Sequence, residues 1–289
     1  MIRKLKYGIE YLLGRVAPGR NLVVREDDVF VASYPKSGNT WTRFLIANLI
    51  QSHDPVTFLN IEKIIPDPDL QSRQFLERCP RPRVMKSHHP FDPRYKRVVC
   101  IVRDPRDVAL SQYHFQIKRG VSGTDTPVEE FVTRFLAGET CPYGSWAQNV
   151  GSWMVARSRT PGFLLLRYED LLRRAETELA RIARLLGIPP DPERLARAVA
   201  QSSSDRMRKL EMAQADQWTS TKETRKDLLF VRTATSGEWK SKLPPEAVER
   251  MEEAWGPLMR LLGYSTTGVE AAIEPDAAPL DFLLEYPLR

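Results

Sequence analysis

Four short runs of continuous apolar residues constrain the fold of this 289-residue chain more than any other feature. The runs are Val29–Ala32, Val84–Met85, Val98–Val102 and Phe163–Leu166. A strand buried on one face alternates apolar and polar residues, whereas a strand of a parallel sheet covered on both faces is apolar throughout. The runs therefore predict a central parallel sheet between two layers of helices.

Helical patterns between and after these runs supply the covering layers. The predicted helices are Thr40–Ser52, Asp107–Lys118, Pro127–Ala137, Glu169–Leu186, Pro192–Ala200 and Pro245–Leu262. Strands that alternate with helices predict an α/β fold with a parallel central sheet flanked by helices. The chain has no repeat and no dividing linker, so we expect one domain over residues 1–265 and a loosely held tail over 266–289.

The composition is typical of a globular protein, with 42% hydrophobic and 28% charged residues. The longest apolar runs, such as Phe44–Ile50, are too short to cross a bilayer. Cys79, Cys100 and Cys141 form neither a disulfide framework nor a metal-ligand pattern, and Cys100 is expected to be a small core residue. We therefore expect a cytoplasmic protein without stable membrane insertion.

The N-terminal segment Met1–Arg15 has basic residues and apolar residues at helical spacing. It lacks the uninterrupted apolar core and the cleavage site of a signal peptide. We favour an amphipathic helix packed on the domain, and the alternative is a helix lying on an anionic membrane surface.

The formal net charge of +6 is concentrated in one segment. Between Arg83 and Arg119 there are nine Lys or Arg residues and three Asp residues. Local positive charge favours a ligand that carries phosphate or sulfate. A nucleic-acid-binding surface is the alternative, but the segment has no recognised nucleic-acid motif and few interleaved aromatic residues. We therefore expect no nucleic acid partner.

The segment Val29–Trp41 has the pattern of a strand, a glycine-containing turn and a helix N terminus. Such a junction directs free backbone N–H groups towards an anion. Gly38 permits close backbone approach, and Lys36 adds a positive charge. Further side-chain donors come from Ser37, Asn39 and Thr40. The loop predicts phosphate binding but is not a Walker A loop, in which Lys directly follows the last Gly.

The sequence Tyr-Pro-Lys-Ser-Gly-Asn-Thr-Trp at 34–41 resembles the 5′-phosphosulfate-binding loop of the cytosolic-type sulfotransferases. Those enzymes use 3′-phosphoadenosine 5′-phosphosulfate (PAPS) as the sulfuryl donor. The family more often has Thr at the position of Asn39, and both residues are short hydrogen-bond donors. The resemblance implies a P-loop-like sulfotransferase fold, with Trp41 stacked on adenine. The donor-binding residues that it implies here are Lys36, Ser37, Gly38, Asn39, Thr40 and Trp41.

A second block, Arg103–Ser111, resembles the family's 3′-phosphate-binding segment. The resemblance implies that Arg103 and Ser111 hold the 3′-phosphate, for which a guanidinium fork is a suitable partner. From the residues alone, a structural Arg–Asp pair at a strand end is an equally good explanation.

A third block, Lys86–Pro90, resembles the Lys-Thr-His stretch of the family. The resemblance implies that His88 is the general base and that Lys86 contacts the sulfuryl group. His89 receives no role from it. With Lys36 at the leaving phosphate oxygen, the expected catalytic residues are Lys36, Lys86 and His88.

A fourth block, residues 232–240, resembles the family's Arg-Lys-Gly-x-x-Gly-Asp-Trp-Lys segment, which wraps the 3′-phosphate. Thr233 and Ala234 replace the usual Lys and first Gly, which implies a lost phosphate contact and weaker donor binding. Arg232 is kept. Tyr168 and Ser202 match further nucleotide contacts, although Ser204 stands where an aromatic residue is usual.

Together the four blocks predict an enzyme, a metal-free PAPS-dependent sulfotransferase. The expected acceptor is a hydroxyl or amine of a small molecule, a glycan or a lipid. The main alternative is a P-loop kinase or NTPase that uses ATP and Mg²⁺, and another is a family member that binds nucleotide without catalysis.

The acceptor pocket is expected from the loops at 66–83, 119–127, 140–153 and 214–230. The sequence leaves open whether the aromatic residues there line the pocket or belong to the core. These residues are Tyr143, Trp146, Trp153 and Trp218. The oligomeric state is also open.

Overall fold

A computed structural model describes residues 10, 13–51 and 54–267 and contains a four-stranded parallel sheet in the order β2-β1-β3-β4. The strands are β1 (Val29–Ser33), β2 (Val84–Ser87), β3 (Arg97–Val102) and β4 (Phe163–Arg167). The predicted α/β fold class and all four predicted strands are confirmed. The predicted N-terminal helix lies mostly, and the predicted tail almost wholly, outside the described residues.

Twelve α-helices are described. They are α1 (Asn39–Ile50), α2 (Ile61–Ile64), α3 (Arg73–Arg78), α4 (Pro105–Lys118), α5 (Val128–Leu136), α6 (Trp146–Arg157), α7 (Tyr168–Arg173), α8 (Ala175–Leu186), α9 (Pro192–Gln201), α10 (Ser204–Gln214), α11 (Trp239–Lys242) and α12 (Pro245–Leu261). The starts of α4 and α9 follow from sequence: Asp104 and Asp191 accept an N–H of the first turn, and proline follows each.

The prediction of one continuous helix over Glu169–Leu186 is wrong, because the chain forms α7 and α8 instead. Arg174 leaves the helical region, with φ −145° and ψ 55°. Its guanidinium bridges Glu178, at 2.9 Å, and Asp170, at 3.7 Å, across the break. Both helices pack on the same core, so the apolar stripe continues past the break. The hydrophobic periodicity therefore gave no sign of the break.

Alternate residues of the sheet enter two separate cores. Phe30 and Cys100 face one core, which α4, α5, α6 and α12 cover. Val31 and Ile101 face the other, which α1, α8 and α9 cover. Burial on both faces explains the unbroken apolar runs. Cys100 is therefore the predicted core residue, and burial raises the pKa of its thiol to about 12.

The sheet order places a crevice at the carboxyl end of β1. The chain continues from β1 to β2 on one side and then crosses back to β3 on the other. Ligands of open α/β sheets bind where the strand order reverses in this way, outside the carboxyl ends of the strands. The loop from Ser33 to Asn39 lies at this point.

Most of the positive charge between residues 83 and 119 is neutralised inside the molecule. The pairs are Arg83–Asp28, Lys86–Asp67, Arg94–Asp92, Arg103–Asp107, Arg106–Asp104, Arg106–Glu252 and Lys118–Glu211. The charged segment is therefore mainly a set of structural ion pairs. The alternative of a nucleic-acid-binding surface depended on unpaired positive charge in this segment, and most of that charge is paired.

None of the helices in the described part of the chain combines the length and the apolar character needed to cross a membrane.

Candidate active site

The loop after β1 is anchored from within. The Asn39 amide donates to the Val31 carbonyl at 2.9 Å and to Ser33 Oγ at 3.2 Å. Gly38 has φ 99°, and a Cβ there would lie 2.5 Å from Tyr168 Cδ2, so a side chain is excluded. The Ser37 hydroxyl is buried and has no partner among the described residues. A tightly built loop with an unsatisfied buried donor fits an oxyanion ligand.

Lys36 holds its ammonium group between two aromatic rings. Its Nζ lies 3.9 Å from the ring centre of Phe230 and 4.3 Å from that of Phe115, which is cation–π geometry. Burial lowers the pKa of Lys36 to about 7, and the nearby positive charges of Arg103 and Arg232 act in the same direction. The site therefore concentrates cations that an anion would stabilise.

Arg103 connects three of the four sequence blocks. Its guanidinium donates to the Lys36 carbonyl at 3.3 Å and to the Thr235 carbonyl at 3.0 Å. It also lies 4.4 Å from the ring centre of Tyr168. Asp107 is 3.9 Å away, so the pairing with an acid that the sequence left open is present but long. Arg103 thus both supports the loop and faces the site.

The segment from Arg232 to Trp239 is fixed by two acids that sequence reasoning missed. Asp107 accepts the backbone N–H groups of Gly237, at 2.6 Å, and Trp239, at 3.1 Å. Glu238 accepts from Arg232, at 2.8 Å, and from three donors in all. Asp107 lies in the Arg103–Ser111 block and Glu238 stands where the family motif has Asp, but neither acid was given a role from the sequence.

Trp41 is held edge-on to Tyr168, with ring centres 5.8 Å apart, and donates from Nε1 to the Ser202 carbonyl at 2.9 Å. Ser202 is fully buried. Its hydroxyl donates to the Ala198 carbonyl at 2.8 Å and accepts from Asn48 at 3.0 Å. The hydroxyl is therefore engaged in the core, and the Ser202 N–H donates to the Val199 carbonyl at 3.0 Å, so each polar group of Ser202 already has a partner in the protein.

His88 has a defined tautomer. Its Nδ1 lies 2.8 Å from the Ser33 carbonyl, and a carbonyl can only accept, so we assign the ring proton to Nδ1. The lone pair is then on Nε2, which has no hydrogen-bond partner in the described part of the chain. Burial lowers the pKa of His88 to about 3, and the charge of Lys86 adds to this effect. The His88 ring is consequently neutral at physiological pH.

One cavity of about 750 Å³ brings nearly all the predicted site residues together. Its lining includes Lys36, Gly38, Asn39, Thr40, Trp41, Lys86, His88, Arg103, Ser111, Tyr168, Ser202, Arg232, Thr233 and Ala234. Ser37 is the one predicted site residue outside this lining. The volume is in the range of ligand sites in proteins.

Three of the four predicted acceptor loops contribute residues to the cavity lining. The fourth, residues 66–83, contributes none. Tyr143 and Trp218 line it, whereas Trp146 and Trp153 are core residues with at most 1% exposure. The rest of the lining is mixed, and its polar members include Gln112, Gln116, Arg119 and Thr140. Apolar residues also contribute to it, and they include Phe115, Val121, Cys141, Pro142 and Phe230.

The fold and this cavity define an α/β protein with a cation-lined cavity at the carboxyl end of a parallel sheet. The family model of the sulfotransferase domain matches residues 26–263, and the chain belongs to that family of enzymes.

Curated relatives agree over most of their length. Sulfotransferase 1B1 of Canis lupus familiaris is 29% identical over 75% of this chain and 78% of its own. Sulfotransferase 2B1 of Rattus norvegicus is 30% identical over 80% of this chain and 71% of its own.

Solved structures confirm the fold. The mouse sulfotransferase SULT7A1 complexed with PAP superposes with a TM-score of 0.69 at 23% identity, covering 86% of this chain and 89% of that one. Retinol dehydratase in complex with androsterone and the inactive cofactor PAP gives a TM-score of 0.66 at 22% identity, covering 91% and 88%.

Proposed function

We propose that this protein transfers a sulfuryl group from PAPS directly to a hydroxyl group of a small acceptor, with His88 as the general base. The observation that carries the proposal is the free Nε2 of His88 in the same cavity as Lys36 and Lys86. The alternative kinase function is not favoured, since the family is that of sulfotransferases and the loop is not of the Walker A type.

The donor fits the residues around the loop. The backbone of residues 36–41 would hold the 5′-phosphosulfate, with Lys36 compensating its charge. Arg103, Ser111 and Arg232 would hold the 3′-phosphate, with Thr233 and Ala234 beside it. Trp41 and Tyr168 would flank the adenine. Two solved structures of the same fold were determined in complex with PAP, which supports PAPS as the donor.

In the transfer step, the bond between sulfur and the bridging phosphate oxygen breaks as a bond from the acceptor oxygen to sulfur forms. His88 Nε2 takes the acceptor proton. Lys86 would stabilise charge on the sulfuryl oxygens, and Lys36 would stabilise charge on the leaving phosphate oxygen. Protein cations supply the charge stabilisation, so the proposal includes no metal ion.

The cavity wall favours a small apolar alcohol or phenol as the acceptor. Phe115, Val121, Pro142 and Tyr143 supply apolar surface in the cavity that holds His88. A solved relative, retinol dehydratase, is in complex with androsterone, which is consistent with an apolar acceptor.

We also propose that residues 1–265 form one domain, which agrees with the family match over residues 26–263. The cytoplasmic location remains a prediction from sequence.

The first test is thermal unfolding with 3′-phosphoadenosine 5′-phosphate (PAP), the desulfonated form of PAPS, and, separately, with ATP and Mg²⁺. A ligand that binds only the folded state at a hundredfold excess over its Kd stabilises it by about 2.7 kcal/mol. We expect a clear increase in Tm with PAP and none with ATP and Mg²⁺. The reverse result would contradict the proposed donor and favour a kinase.

A further inference from the structure

The ammonium group of Lys86 is held by an acid to which the family resemblance gives no role. Lys86 Nζ lies 2.7 Å from Asp67 Oδ2, and the two side chains are 18% and 8% exposed. The other carboxylate oxygen, Oδ1, accepts the backbone N–H of Asp69 at 3.0 Å. Both oxygens of Asp67 therefore have a donor, which gives the pair one defined geometry.

The backbone reinforces this pairing. The N–H of Lys86, in β2, donates to the Pro66 carbonyl at 2.9 Å. The segment that carries Asp67 is thereby attached to the strand that carries Lys86. Lys86 and His88 line the described cavity and Asp67 does not, so Asp67 would act through Lys86 without touching substrate.

Asp67 compensates part of the positive charge that surrounds His88. Lys86 and Arg43 both act to lower the pKa of His88, and Asp67 opposes them. Arg43 already has a carboxylate partner, Glu62, at 2.9 Å. Burial raises the pKa of Asp67, but its ion pair and hydrogen bonds outweigh burial and hold it below the usual value.

The neighbouring acid cannot replace Asp67. Asp69 Oδ1 lies 3.0 Å from His89 Nε2, and its Oδ2 accepts from the Tyr143 hydroxyl at 3.4 Å. The Tyr143 ring centre lies 5.6 Å from that of His88. Asp69 is therefore already engaged by His89 and Tyr143 and does not pair with Lys86.

We propose that Asp67 is a positioning residue for sulfuryl transfer, which fixes the charged Lys86 ammonium beside His88. A lysine ammonium has three N–H donors, and Asp67 takes one. Two donors then remain for sulfuryl oxygens. This inference rests on the proposed function, because that function gives Lys86 its role.

The test compares Asp67→Asn with Asp67→Glu, which keeps the charge. Asp92→Asn is the matched control, since Asp92 is buried and pairs with Arg94 at 2.5 Å but does not line the cavity. Three quantities are measured: the Kd for PAP by calorimetry, kcat for transfer from PAPS to 2-naphthol, and the pH profile of kcat. Slow transfer from PAPS to water, which releases PAP and sulfate, gives a second kcat that needs no acceptor.

We expect Asp67→Asn to lower kcat by about 10- to 100-fold, the size of effect expected when a group that orients a charge-stabilising donor is lost. The Kd for PAP should change by less than about threefold, because Arg103 and the loop carry donor binding. The acidic limb of the kcat profile should move to lower pH, since the Asp67 charge acts to raise the pKa of His88 and asparagine removes that charge. Asp67→Glu should recover most of the loss, and Asp92→Asn should keep the wild-type kcat.

Wild-type kcat and pH profile in Asp67→Asn would overturn the inference. So would equal losses in Asp67→Asn and Asp92→Asn that follow their Tm values, since both would then be structural. Failure of the wild-type protein to bind PAP would instead contradict the proposed function.

Discussion

At the scale of single residues, the proposed proton acceptor and the proposed donor-binding cations are separate groups, so the effects of removing them should differ. His88→Ala removes the proposed general base, and we expect kcat to fall by about 10²- to 10⁴-fold with the Kd for PAP nearly unchanged. Arg103→Ala should chiefly raise the Kd for PAP. Steady-state kinetics and calorimetry measure both. His89→Ala is the matched control, because His89 contacts Asp69 and lies outside the cavity lining. Normal turnover in His88→Ala would exclude it as the base.

The Lys36 ammonium predicts a pH dependence of donor binding. Its pKa is lowered to about 7 in the free protein, and an adjacent phosphate would raise it in the complex. Below pH 7 Lys36 is charged in both states. Above pH 7 binding must take up a proton, so the Kd for PAP should increase towards tenfold per pH unit.

Calorimetry from pH 7.5 to 9.5 in buffers of different ionisation enthalpy measures this proton uptake. Lys36→Arg is the control, since arginine stays charged over this range and should bind without proton uptake. Equal proton uptake in the wild-type protein and in Lys36→Arg would assign the effect to another group.

At the scale of elements, Ala234 stands where the family has glycine, and the backbone at this residue is strained. Ala234 has φ 53°, a left-handed conformation that costs a non-glycine residue about 1 kcal/mol. Ala234→Gly should therefore raise the free energy of unfolding by about 0.5–1 kcal/mol and tighten PAP binding. Denaturant unfolding and calorimetry measure the two effects.

The same replacement in a helix should have the opposite sign. Ala180 lies within α8, and Ala180→Gly should lower the free energy of unfolding by about 0.5–1 kcal/mol. If both variants lose stability equally, the left-handed turn at Ala234 costs nothing.

The sequence predicted the elements whose signal is local. The strands were predictable because burial on both faces leaves a continuous apolar run, and α4 and α9 because Asp and Pro mark their starts. Helix α6 was missed although Ser145 and Gln148 form a capping box at its start. It packs into the core, and its low amphipathicity gave no helical stripe.

At the scale of the whole molecule, the predicted site residues other than Ser37 line one cavity, whereas the acids that hold them were not predicted. Asp67 lies 19 positions from Lys86, and Glu211 lies 19 from Phe230, whose backbone N–H it binds at 2.5 Å. Which acid meets which donor depends on how the loops pack across the sheet. No local pattern records that choice, so the supporting contacts required the structure.

The boundary of the domain provides the last prediction. Tyr264 is 4% exposed, its ring lies 4.6 Å from the Arg167 guanidinium, and its hydroxyl donates to Glu169 at 3.1 Å. Thr267 donates its N–H to Glu252 at 2.7 Å. A chain that ends at Thr267 should keep the wild-type Tm and PAP affinity.

A chain that ends at Leu262 loses Tyr264 and should be destabilised by about 3–5 kcal/mol, as when a large buried aromatic residue is removed. Thermal unfolding of the two truncated chains separates these outcomes. If the longer chain also unfolds early, residues beyond Thr267 belong to the domain and its proposed boundary at 265 is wrong. If both keep the wild-type Tm, the core is complete without Tyr264, and the boundary lies closer to the end of α12.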